Sequence, residues 1–184
     1  MARKKEILAR RLGKTVHVSP LRFKLQRVAA QFPAEQAECL EDWLVDLANA
    51  RGARIVNRGI DRQHQYIPPT EQLVTNEELV VGICQLQCLD RPQMLRLAAQ
   101  LISRNAVQFS RLKPLAEQER IGPILAELAK QALRVEPAHP LWRTIQAAFH
   151  EEQPLKEPLL HWTRLAEPVM QHGRCNAKRW RLVA

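Results

Sequence analysis

Arginine and lysine crowd the two ends of this chain. In residues 1–27, Arg3, Lys4, Lys5, Arg10, Arg11, Lys14, Arg22, Lys24 and Arg27 stand against Glu6 alone. In residues 174–184, Arg174, Lys178, Arg179 and Arg181 meet no acid. The two segments carry +8 and +4 within a total of +9, so residues 28–173 sum to −3. Clustered cations create a local positive field and can neutralise phosphates, which points to the backbone of DNA or RNA. Trp180 lies among the C-terminal cations, where its ring could stack on a base or fold back as an anchor on the protein's own core. Charged chain ends also serve solubility alone, and the same field would suit an acidic protein partner.

Two other sets of residues could do chemistry. Cys84 and Cys88 stand four apart, one helical turn, and His172 and Cys175 could complete a tetrahedral zinc site. The two pairs are far apart in the chain and lack a knuckle pattern, so buried small hydrophobes are the expectation and no metal or other cofactor is assigned. His150 with Glu151 and Glu152 could be drawn as an acid–base group, but sequence neighbours do not share a helix face. The six glycines form no phosphate-cradling loop. These features favour a non-enzymatic protein.

The elements that must position such residues are helices. Ile7, Leu8 and Leu12 form a short apolar stripe ending at Gly13. Ser19-Pro20 caps a second helix with Leu21, Leu25, Val28, Ala29 and Phe32 on one face. A third is expected from Pro33, with Leu40, Trp43, Leu44 and Leu47, to Gly52. Within this region, Ala9-Arg10-Arg11-Leu12-Gly13 has the small residue and glycine of a helix-turn-helix. His17 to Arg27 resembles the start of the recognition helix in arabinose-regulator-type transcription factors. The resemblance covers about 20 residues, and the stretch from Gly13 to Ser19 is longer than that family's turn. It implies an amide end at Ser19 that meets a phosphate, with Arg22, Lys24, Gln26 and Arg27 reaching a groove. An ordinary basic hairpin is the competing reading.

From Ala53 to Val74 helical periodicity disappears, leaving an irregular segment with one possible short strand at Arg54-Ile55-Val56. Thr75-Asn76-Glu77-Glu78 is a capping box, predicting a helix to about Cys88. Asp90-Arg91-Pro92-Gln93 caps the next, whose Met94, Leu95, Leu97, Ala98, Leu101 and Ile102 predict a central helix packed antiparallel to the preceding one. Beyond Asn105, a short turn precedes Gly122-Pro123, then helices carrying Ile124 to Leu133, Leu141 to Phe149, and Leu159 to Leu165. Faint internal echoes share no fixed period, so a repeat array is not indicated.

The chain is therefore expected to be an all-α multi-helix bundle built from seven to nine helices in hairpins. A basic helical region (1–52), an irregular linker (53–74), a helical bundle (75–173) and a basic tail (174–184) would make it up. Apolar content of 46% with four tryptophans is ample for a core. Four sparse cysteines and no apolar stretch behind the N-terminal charges lead to an expectation of reduced thiols and a cytoplasmic protein. The leading expectation is a nucleic-acid-binding accessory protein touching phosphates through its ends. The alternative is an adaptor or subunit of a larger assembly, and the Trp43, Trp142 and Trp162 helices could supply either core or interface anchors.

Overall fold

The computed structural model describes residues 19–32, 39–53, 67–85 and 92–151. Among them are seven helices and no strand, with 69% of the residues helical. The all-α architecture is as the periodicity predicts. The expected helices around Ile7 and Pro158, the possible strand at Arg54 and the basic tail lie outside the described residues.

The first helix, α1 (Pro20–Ala29), starts as its residues require. Ser19 is extended and its hydroxyl accepts from Arg22 N–H at 2.9 Å, and Pro20 fills the first position, where no amide is needed. Leu21, Leu25 and Val28 are buried on one face. The next helix, α2 (Leu40–Ala50), begins later than Pro33. Cys39 is extended, and Glu41 and Asp42 place acids at the amide end of a first turn that starts at Leu40. Its Trp43, Leu44, Val45, Leu47 and Ala48 are buried.

Helix α3 (Asn76–Ile83) opens with the predicted capping box. Glu78 N–H donates to Thr75 Oγ1 at 3.2 Å, and Thr75 N–H donates to Glu78 Oε2 at 3.0 Å. It ends at Ile83, short of the expected Cys88, with Cys84 as its C-cap. Gly82 weakens the last turn, and Gln85 just beyond the cap is drawn to Ser19 and Glu119. Helix α4 (Pro92–Ser103) is the central one: every residue from Met94 to Ile102 is buried, and α2, α3 and α7 pack on it.

Where only a turn was expected, the chain forms α5 (Phe109–Gln118) with Pro114 inside it. The helix survives because Leu112 and Ala116, one turn apart, are fully buried. Its N-terminus is satisfied from elsewhere, since Gln108 N–H donates to the buried Glu77 carboxylate at 2.7 Å. Pro114 removes one ladder bond, but it and Ser110 face solvent, where water can take the freed carbonyl. Helices α6 (Gly122–Val135) and α7 (Pro140–Phe149) then pack against each other. Trp142 Nε1–H donates to Ser103 Oγ at 3.0 Å, and that hydroxyl donates to Glu136 at 3.2 Å, tying the ends of α4 and α6 to the start of α7. His139 Nδ1 accepts from Trp142 N–H at 3.4 Å, so its Nε2–H donates to the Ser103 carbonyl at 3.0 Å.

One buried cluster runs from Leu21 in α1 to Phe149 in α7, with Trp43 and Trp142 inside it. Those two rings are therefore core, and Trp162 lies outside the described residues.

Three helices stop by the same device, with three different residues in the left-handed position: Gly52 (φ 96°), Asn105 (φ 55°) and Arg120 (φ 57°). Each is followed by the paired bonds of a Schellman motif, as in Ile121 N–H to Ala116 O at 3.0 Å and Arg120 N–H to Glu117 O at 3.2 Å. Glycine enters this conformation freely and asparagine with little strain, whereas arginine is strained there. Arg120→Gly is therefore expected to stabilise the fold by about 1 kcal/mol, read as a higher urea midpoint at unchanged slope.

Candidate nucleic-acid interface

Of the cations expected to meet phosphate, Arg22, Lys24 and Arg27 lie among the described residues, all on α1. Arg3, Lys4, Lys5, Arg10, Arg11, Lys14, Arg174, Lys178, Arg179 and Arg181, with Trp180, lie outside them. The three on α1 differ in circumstance. Arg22 Nη2 donates to Glu41 Oε1 at 3.2 Å, from the first turn of α2. Lys24 Nζ reaches both carboxylate oxygens of Glu78, at 2.6 and 2.8 Å, in the first turn of α3. Arg27 is exposed in the last turn of α1, where a cation complements the helix dipole.

The amide end of α1 is also engaged. Leu21 N–H donates to Glu119 Oε1 at 3.1 Å, and Gln85 Nε2 bridges Glu119 Oε2 at 3.1 Å and Ser19 Oγ at 2.7 Å. Glu119 and Gln85 are 5% and 4% exposed, so an internal carboxylate occupies the place where the resemblance to a recognition helix implies a phosphate. A recognition helix offers its N-terminal residues to base edges. Here that end is packed into the body between the end of α3 and the end of α5, which opposes the groove-reading role for this helix.

The face of α1 left open carries Phe23, Gln26 and Arg27, at i, i+3 and i+4. Phe23 is 59% exposed, unusual for so large an apolar ring. Phe23 carries no charge and so stood outside the candidate cations, although the stripe of Leu21, Leu25 and Val28 already places it off the core face.

The other candidate groups are placed as follows. Cys84 is fully buried at the end of α3, and Cys88, His172 and Cys175 lie outside the described residues. Among the described residues, no group of three or more histidines, cysteines or acids stands ready to hold a metal ion. Burial, then the contact of its Sγ with Asp42 Oδ2 at 3.1 Å, pushes the Cys39 thiol up, away from the reactive thiolate form. His150 and Glu151 are 3.6 Å apart at the solvated end of α7 and both widely exposed, an arrangement that shields no proton transfer from water. No described helix is long and apolar enough to cross a membrane.

No protein-family model, curated protein or solved structure matches this chain.

Removing the Glu119 carboxylate strands the buried Leu21 amide and leaves Gln85 Nε2 with Ser19 Oγ alone. Glu119→Ala is expected to lower stability by about 2–3 kcal/mol, measured by urea unfolding, against a much smaller effect for Glu117→Ala on the exposed side of α5. The Arg22–Glu41 pair is pH-sensitive. Burial pushes the Glu41 carboxyl up, but its own backbone N–H and the Arg22 guanidinium outweigh that and hold it below the usual carboxylate range. With the folded-state pKa below the unfolded one, the pair contributes stability above the unfolded value and loses it as pH falls through the folded value. A double-mutant cycle on Arg22 and Glu41 should give a coupling of about 1 kcal/mol at neutral pH that is lost as acidification protonates the Glu41 carboxyl.

Proposed function

We propose that this chain is a non-enzymatic nucleic-acid-binding accessory protein that contacts backbone phosphates through its basic N- and C-terminal segments. The observation that carries this reading is the charge layout: +8 in residues 1–27 and +4 in residues 174–184, around a body of −3. Segregation of this kind steers a polyanion to the ends while the body repels it weakly. Arg22 and Lys24 serve the fold, so Arg3, Lys4, Lys5, Arg10, Arg11, Lys14 and Arg27 are the N-terminal cations proposed to meet phosphate. Arg174, Lys178, Arg179 and Arg181, with Trp180 to stack, are their C-terminal counterparts. The reduced state expected of its sparse thiols suits a cytoplasmic place of action.

A second reading, an adaptor or subunit whose ends meet an acidic protein, is favoured by Ile67 and Leu73. They are 66% and 42% exposed, Ile67 directly before Pro68. The two readings part on a single experiment. Fluorescence anisotropy with short DNA and RNA probes across a salt series should show micromolar or tighter binding that weakens steeply as salt rises. Deleting residues 174–184 removes four cations and should flatten the slope of log K against log salt by about 3. Failure of every probe to bind at low salt would remove the nucleic-acid reading and leave the protein partner.

A further inference from the structure

An exposed aromatic ring on a helix that buries its other large apolar residues, Leu21, Leu25 and Val28, calls for a physical reason. Phe23 buries no more than part of its surface while Leu25, two residues on, is wholly enclosed. On α1 the ring stands beside Gln26 and Arg27, and Arg27 makes no ion pair among the described residues. The flanking cations Arg22 and Lys24 are held by Glu41 and Glu78, at 3.2 and 2.6 Å. This face therefore offers one apolar aromatic plane, one amide side chain and one guanidinium.

Resting on the nucleic-acid reading above, we infer that the ligand is single-stranded, with Phe23 stacking on an unpaired base and Arg27 meeting the adjacent phosphate. Three observations carry this choice. The amide end of α1 is closed by Glu119 and Gln85, so the helix does not enter a duplex groove end-first. Arg27 is the exposed cation of α1, while Arg22 and Lys24 are turned to Glu41 and Glu78, so on this helix one cation stands beside the ring. A phenylalanine ring has no donor or acceptor with which to read a base edge, but it matches the π-face that every unpaired base presents and that a duplex hides by stacking. A groove on a partner protein fits less well. Helix-in-groove docking uses apolar anchors at i, i+3, i+4 and i+7, and after Phe23 those positions are Gln26, Arg27 and Ala30.

The test compares the intact chain with Phe23→Ala, Phe23→Trp and Arg27→Ala on fluorescein-labelled single strands and on the matching duplex. Far-UV circular dichroism and urea midpoints should show all three variants folded like the parent, since both positions are exposed. The single strand is expected to bind roughly tenfold or more tightly than the duplex. Phe23→Ala should weaken single-strand binding about tenfold without changing the salt slope, and Phe23→Trp should restore it. Arg27→Ala should flatten the slope by about 0.7, one phosphate's worth on a single strand. Equal binding of duplex and single strand, with Phe23→Ala silent on both, would overturn this inference and leave the phosphate-contact function standing. Absence of binding to every probe would overturn both.

Discussion

A carboxylate buried to 5% exposure must be surrounded by donors, and Glu119 meets that demand by joining three element ends. It closes α5 as the C-cap, accepts the first amide N–H of α1, that of Leu21, and holds Gln85 just past α3. Gln85 in turn donates to Ser19, whose hydroxyl is also the N-cap acceptor for Arg22 N–H. Taking the carboxylate away removes the buried acceptor of the Leu21 N–H and one of the two acceptors of Gln85 Nε2, so the position of α1 on the bundle depends on it. Glu77 does the same for α5, through Gln108 N–H, across a separation of 31 residues. In this fold two acids, Glu119 and Glu77, complete the amide ends of helices other than their own.

The same constraint reassigns charge. Glu41 and Glu78 sit in first turns, where a negative group is favourable, and each attracts a cation from α1. Arg22 and Lys24 thereby become interhelical ties between α1 and its neighbours α2 and α3. Glu78 does two tasks, closing the capping box with Thr75 while receiving Lys24, so that pair is better fixed than an isolated surface ion pair. A tally of cations in residues 1–27 overstates what is available to a partner, because formal charge does not distinguish a tie from a free group.

Much of the fold was legible in local pattern. Ser19-Pro20, the Thr75 to Glu78 box, the burial of Met94 to Ile102 and the α7 stripe of Leu141, Trp142, Ile145 and Phe149 all follow from spacing of 3–4 residues and from cap chemistry. What was illegible is non-local. The Leu21–Glu119 bond spans 98 residues, and nothing near either residue announces it. Pro114 reads locally as a helix breaker, yet burial of Leu112 and Ala116 outweighs one lost bond. Arg120 carries no turn signature, yet it takes the left-handed position that glycine usually fills, because Ile121 must turn back into the core. Of the candidate site, the charge layout was legible and the division into tied and free cations was not.

That division bears on how α1 can act. A helix whose amide end is plugged and whose two flanks are tied to acids is fixed in orientation, and fixing lowers the entropy lost when a ligand settles on its remaining face. Phe23 is held on a helix whose opposite face is close-packed where Leu25 meets Gly82: a Cβ added at Gly82 would meet Leu25 Cδ1 at 2.5 Å. Tight packing behind an exposed ring keeps it from folding inward to hide its apolar surface. The interior thus determines that the ring stays outside, and the acids that order α1 determine that Arg27 is the cation left beside it.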